Sequence, residues 1–247
     1  MNKNTKNNFI NPANLSIDKY GDTNFVKSYA GKIEYNSHNA LYERPATLSL
    51  LPDVCGKKIL DAGCGPGLYS AWLTERGAEV TAVDYSDEMI KLTEEITENK
   101  ARVFKANLND TLDFLKDNEF DIVLSSLVIH YISDLRGLFS EFNRVLKSNG
   151  HLIISTHHPF SDFAHHPESN YFETELITEK WPSYNVEMQF YRRPLSEIFN
   201  MFKEADFRID EFLEPLPLEI CKEVFPDAYE ELSTKPCFIF FKAVKEK

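Results

Sequence analysis

The most constraining feature of this 247-residue chain is the alternation that begins at Lys57. "KKILDAG" is a short apolar strand ending in glycine, and "GLYSAWLTERG" is amphipathic and stops at Gly77, a natural helix terminator. "AEVTAVD" reads as the next strand, and Ser86 in "YSDEMIKLTEEI" as an N-cap followed by acidic residues in the first helical turn. "ARVFKAN" and "FDIVLSS" predict a third and a fourth strand. The helix "DLRGLFSEFNRVLKSNG", ending at Gly150, leads into a fifth, "GHLIIST". Strand and helix alternating at this spacing imply right-handed crossovers and a parallel sheet covered on both faces. The predicted class is α/β, doubly wound.

The flanks break that rhythm. Residues 1–16 are rich in Asn and Lys with little to bury and read as a flexible tail. Residues 17–52 have a helical pattern and form an N-terminal cap on the sheet. Residues 157–193 carry eight aromatics, Phe160, Phe163, Tyr171, Phe172, Trp181, Tyr184, Phe190 and Tyr191, and are too long for an ordinary connection. They read as a lid insertion. The helix "PLSEIFNMFKEADF" and strands at "RIDEFLEP" and "CFIFFKAVK" close what is expected to be a single domain over 17–247.

Composition narrows the partners. A net charge of −12 disfavours nucleic acid, whose non-specific affinity comes from Lys and Arg neutralising phosphates. Cys55, Cys64, Cys221 and Cys237 show no CxxC pair or disulfide-framework spacing, which suits a reducing compartment. The N-terminal residues lack the apolar core of a signal peptide, and no run approaches the about 18 apolar residues of a membrane span. The expectation is a cytoplasmic protein with no membrane partner.

Ligands of a doubly wound sheet lie outside the carboxyl ends of the strands, where strand order reverses. Here the turn after strand one is "DAGCGPG", in which Gly63, Gly65 and Gly67 let the backbone turn sharply and approach a ligand. Asp84, at the end of strand two, is placed to accept both hydroxyls of a ribose. A nucleoside-containing ligand follows. The dinucleotide fingerprint G-x-G-x-x-G is not met, because Leu68 holds the place of its third glycine. Asp61, just ahead of the first glycine, would repel a diphosphate but suit an ammonium or sulfonium group. The charge logic favours S-adenosylmethionine over NAD.

With "ILDAGCGPG", Asp84 followed by "YSDEMI", "FDIVLSSLVIHYI" and "FNRVLKSNGHLIIS", the chain resembles the class I S-adenosylmethionine-dependent methyltransferases of the small-molecule type, from about Asn39 to Lys242. The resemblance implies a seven-stranded sheet, mostly parallel, with the last strand antiparallel. It implies that Gly63 and Gly65 line the methionine moiety and that Asp61 sits near it through water or a backbone amide. Cys64 shares that turn; with no histidine in adjacent sequence, its thiol reads as packing rather than as a nucleophile. Asp84 would bind the ribose, Tyr85 and Met89 would pack on the adenine, and Asn107 with Leu108 would meet its amino edge. Ser125, ending strand four, would aim its carbonyl at the ligand's ammonium.

The stretch "THHPFSDFAHHP" holds four of the seven histidines. His157 and His158 are adjacent and point apart if the strand persists, as do His165 and His166, and no Cys or Glu has a ligand spacing, so no metal is expected. His157 or His158, at the rim after strand five, would contact the acceptor or serve as general base. His130 either faces the same rim or is a hydrogen-bonded helix histidine, and His165 and His166 read as loop residues. The aromatics of the lid are either packing or an acceptor wall, with Tyr29, Tyr35 and Tyr42 closing from the other side or lying in the core. The implied reaction is in-line transfer of methyl to an N, O, S or C atom of a small molecule, releasing S-adenosylhomocysteine, by a monomer or homodimer. The rival is a sensor or partner subunit that binds S-adenosylmethionine without turnover.

Overall fold

The computed structural model describes residues 14–246. Helices α1 (Asn14–Tyr20) and α2 (Thr23–Ile33), a π-helical turn (Asn39–Glu43) and α3 (Arg44–Leu50) precede the sheet. Then come β1 (Lys58–Ala62), α4 (Leu68–Glu75), β2 (Glu79–Asp84), α5 (Asp87–Ile96), β3 (Arg102–Lys105) and β4 (Phe120–Ser126). A 3₁₀ turn (Ile129–Tyr131), α6 (Leu135–Val145), β5 (Leu146–His157) and α7 (Pro159–His165) lead to a separate hairpin, β6 (Glu175–Trp181) and β7 (Val186–Arg192). The chain closes with α8 (Leu195–Glu204), β8 (Phe207–Leu213), α9 (Ile220–Val224), α10 (Pro226–Thr234) and β9 (Phe238–Lys245).

The main sheet has seven strands in the order β3-β2-β1-β4-β5-β9-β8. Every pair is parallel except those of β9, which runs antiparallel between β5 and β8. The expected sheet is therefore present, its last strand reversed. Order reverses between β1 and β4, so the crevice above their carboxyl ends is the place for a ligand.

Side-chain pattern explains the layers. Ile59, Leu60 and Ala62 of β1 are all fully buried, as a strand sandwiched between two helical layers must be. In α6, Leu135, Leu138, Phe139, Phe142 and Val145 form one apolar stripe at helical spacing and are all buried. Asp134 starts that helix by accepting from the Gly137 amide at 2.9 Å. Ser86 does the same for α5, accepting from the Met89 amide at 3.2 Å.

Three expectations are corrected in detail. Helix α6 ends at Val145 rather than Gly150, because Leu146 already pairs with Phe120 and the chain then turns through Asn149 at φ 61°. Residues 157–193, for which no elements were expected, contain α7 and the β6–β7 hairpin. Helices α9 and α10 fill the segment between β8 and β9, for which no element was expected. Of the expected tail, residues 1–13 lie outside the described residues and Asn14 starts α1. Ser16 is buried and clamps β7, its Oγ donating to Gln189 O at 2.7 Å and accepting from Gln189 N at 2.6 Å. Helix α1 and strand β7 are thus joined. Among the described residues no helix is long and apolar enough to cross a membrane.

Candidate active site

After β1 the chain turns through Gly63 at φ 82° and Gly65 at φ 54°. A Cβ on Gly63 would lie 2.3 Å from Val128 Cγ2, whereas one on Gly65 would meet nothing within 4 Å. The amides of Gly63 and Cys64 donate to Val83 O, tying the turn to β2. Asp84 completes the tie, accepting from the Gly65 amide through Oδ2 and from the Ser86 amide through Oδ1, each at 2.9 Å. Burial raises its carboxyl pKa, and those backbone donors oppose the rise. Each oxygen keeps a second lone pair.

Above this turn opens a cavity of about 170 Å³ that is open to solvent. Gly63, Cys64, Gly65, Asp84, Tyr85, Met89, Asn107 and Leu108 line it, eight of the ten residues expected around a cofactor. Two do not. Asp61 lies under the turn, fully buried, with Oδ2 accepting from Ser70 Oγ at 2.6 Å, and burial pushes its pKa up to about 7. Ser125 is also buried, and its Oγ donates to Ala62 O at 3.0 Å, so it stitches β4 to β1 while Ser126 takes the place at the wall. The Asn107 amide oxygen is already engaged by the Asn109 amide at 3.0 Å. Burial raises the Cys64 thiol well above its ordinary pKa, so no thiolate nucleophile forms there.

A second cavity of about 710 Å³ adjoins the first, sharing Tyr20, Tyr29, Asn39, Leu127 and Tyr131 with it. His130, His157, Trp181 and Tyr184 form part of its wall, as does Tyr35. The rings of His130 and His157 stack at 3.9 Å between centroids, 17° from parallel. His130 Nδ1 lies 3.2 Å from Thr156 Oγ1, and burial, then His157, then Arg193, drive its pKa well below the ordinary imidazole value. It stays neutral near pH 7. His157 has its Nδ1 3.5 Å from Asp162 Oδ1, and its Nε2 makes no hydrogen bond among the described residues.

The other three histidines of the 156–167 stretch line neither cavity. His158 does not reach either cavity: Nδ1 caps α7 by accepting from the Phe160 amide at 3.0 Å, and Nε2 lies 2.8 Å from Glu214 Oε1. With both ring nitrogens occupied, the expected acceptor contact is not available to it. His165 sits near Ser161 O and His166 near Glu179. Among the described residues no three metal-ligating side chains converge. Tyr42 belongs to the core, stacked on Phe238.

One wall residue of the first cavity escaped sequence reasoning altogether. Glu43, in the π-helical turn, is buried, and four hydroxyls converge on it. Oε1 accepts from Thr47 (2.7 Å), Ser126 (2.7 Å) and Ser155 (2.6 Å), and Oε2 from Tyr69 (2.7 Å). The available signal was helical spacing: Glu43 shares the face of Ala46, Thr47 and Leu50, all buried.

The cavity suits an adenosine joined to an amino acid. It has an apolar wall in Met89 and Leu108, a carboxylate with free lone pairs in Asp84, an open approach at Gly65, and charged side chains, Glu43 and Arg44, from the cap. Residues 60–154 match the methyltransferase domain family. An uncharacterised protein of Haemophilus influenzae is 30% identical over 94% of this chain and 98% of its own length. The malonyl-[acyl-carrier protein] O-methyltransferase of Salmonella typhimurium is 34% identical over 126 residues, and this chain spans only 49% of its length. A solved S-adenosylmethionine-dependent methyltransferase from Mesorhizobium loti superposes with TM-score 0.66 at 27% identity, over 82% of this chain and 97% of that one. A Listeria monocytogenes structure assigned to the same activity gives TM-score 0.73 at 25% identity, over 83% and 97%. Sheet order, glycine turn and relatives agree: the chain belongs to the class I S-adenosylmethionine-dependent methyltransferases.

Proposed function

We propose that this methyltransferase acts on a small molecule held in the second cavity, with S-adenosylmethionine along the first. The observation that carries this reading is that the two cavities meet, sharing five wall residues, so a donor in one faces an acceptor in the other. Bound S-adenosylmethionine supplies an already activated methyl group on a sulfonium. In this reading Gly63, Cys64 and Gly65 border its methionyl part, Asp84 accepts from the ribose hydroxyls, and Tyr85, Met89, Asn107 and Leu108 enclose the adenine. Residues 17–247 act as one domain whose cap and lid shut water out of the junction, which the stacking of Tyr29 on Trp181 supports.

Positioning then supplies most of the catalysis. Burial first, and proximity to other tyrosines, raise Tyr20 and Tyr29 far above their ordinary range, and burial pushes Tyr131 up to about 12. These phenols stay protonated and serve as donors or apolar walls. His157, on the wall of the second cavity, has a ring nitrogen free to take a proton from an N–H, O–H or S–H acceptor. His130, held neutral beneath it, is a stacking platform. The test is release of S-adenosylhomocysteine over a panel of small amines, phenols, thiols and carboxylic acids, with carrier-protein thioesters and peptides as separate arms. Turnover of a small acceptor that falls about 100-fold or more in His157→Ala is expected for a lost base. Turnover confined to the macromolecular arms would refute the small-molecule reading.

A further inference from the structure

Glu43 is a buried carboxyl group whose partners are all neutral. Thr47, Ser126, Ser155 and Tyr69 each donate a hydroxyl to it, and among the described residues no Lys, Arg or His forms an ion pair with it. The neighbouring Arg44 turns away and donates its Nη2 to Ile33 O at 2.9 Å. A buried charge without a counter-charge is costly, and hydroxyl donors offset only part of that cost. A cation arriving with a ligand would supply the missing counter-charge.

The four donors also fix where Glu43 stands. Ser126 ends β4, Ser155 lies near the end of β5, and Tyr69 lies in the first turn of α4, directly after the glycine turn. The carboxyl is therefore held above the point where strand order reverses, on the wall of the first cavity and four residues from Asn39, which belongs to both cavities. The π-helical turn Asn39–Glu43 carries it there; such irregular turns often mark functional positions. Asp61, by contrast, is sealed under the turn by Ser70 and does not face the cavity.

We infer that Glu43 is the counter-charge for the positively charged methionyl end of the methyl donor, its ammonium and sulfonium, and so sets the preference for the charged donor over neutral adenosyl thioethers. This rests on the donor lying in the first cavity. The hydroxyl cage holds the carboxylate in one orientation, so no reorganisation is needed when the ligand enters. Attraction to the sulfonium disappears once the methyl group has left, which favours release of the product.

The experiment is calorimetric titration of wild type and Glu43→Gln with four ligands: S-adenosylmethionine, sinefungin (an ammonium in place of the sulfonium), S-adenosylhomocysteine and neutral methylthioadenosine. In Glu43→Gln, S-adenosylmethionine and sinefungin are expected to weaken by about 10- to 100-fold, the loss of one charged contact. S-Adenosylhomocysteine weakens less, and methylthioadenosine changes by less than about threefold. Equal weakening of all four would assign Glu43 a purely structural role, and no change in any would likewise overturn the inference. If Glu43→Gln does not fold, wild type decides alone: sinefungin must bind more tightly than S-adenosylhomocysteine, and the reverse order would refute it. Failure of wild type to bind any of the four would instead remove the assignment of the cavity to the methyl donor.

Discussion

Asp61 and Glu43 are both buried carboxyls beside the same turn, yet their surroundings give them opposite uses. Asp61 is held protonated up to about pH 7 by burial, while the unfolded chain releases that proton near the ordinary value of 3.8. The native state thus holds the extra proton between about pH 4 and 7, and Asp61's contribution to stability declines across that window by at most about 1.4 kcal/mol per unit. Asp61→Asn removes the titration. Thermal unfolding from pH 4.5 to 8, chosen as about the span of that window, should show wild type losing stability relative to the variant as pH rises; a constant difference would contradict the burial of an ionisable Asp61. The two glycines also separate by geometry. Gly65→Ala adds a methyl group that meets no protein atom, so it costs only the about 1–2 kcal/mol of a left-handed Ala but should weaken donor binding about tenfold or more. Gly63→Ala drives the methyl into Val128 and should destabilise the fold further, readable as a lower midpoint in the same unfolding experiment. The places of the glycines and Asp84 at the strand ends were legible because they depend on local spacing. Glu43 was not, since the Ser126, Ser155 and Tyr69 hydroxyls that define it come from 26 to 112 positions away.

At the scale of elements, strands with uniform burial and helices with side-chain caps were readable directly. Phe120–Ser126 is a strand with five of its seven residues buried, and Ser86 caps α5 as its position before Asp87 and Glu88 implies. Ser86→Ala should cost about 1 kcal/mol, measured by denaturant unfolding. The end of α6 was misread because "LKSNG" retains helix-compatible residues; pairing of Leu146 with Phe120 overrides that local preference. The β6–β7 hairpin escaped because β6, "ELITEKW", shows no clean alternation, although β7 alternates with Met188 and Phe190 inward and Gln189 and Tyr191 less buried. Met188 and Phe190 are buried while Trp181 and Tyr184 turn toward Phe25 and Tyr29 of the cap. The Ser16 bonds to Gln189 hold these two elements together, so Ser16→Ala should loosen the lid without unfolding the sheet. Hydrogen exchange should accelerate in β6 and β7 and stay unchanged in β1, β4 and β5; acceleration throughout would contradict separate closure of the lid.

Across the whole molecule, the alternation from Lys57 and the reversal of order between β1 and β4 place the cavity, while the cap and lid shape what lies beyond it. The wall of the first cavity that comes from consecutive strand ends was legible in sequence. The second cavity is assembled from α1, α2, the 3₁₀ turn, the end of β5 and the β6–β7 hairpin, and only folding brings Tyr20, Tyr131, His157 and Trp181 to one wall. The most direct measurement is thermal unfolding of the wild-type protein with S-adenosylmethionine, S-adenosylhomocysteine and NAD in separate samples. A ligand at about 100 times its dissociation constant adds about 2.7 kcal/mol, which for a chain of this size raises the midpoint by roughly 5–10 °C. A rise of that order with both adenosyl sulfur compounds and none with NAD is the predicted result; no rise with either, or a rise with NAD alone, would contradict a methyl-donor site above the glycine turn.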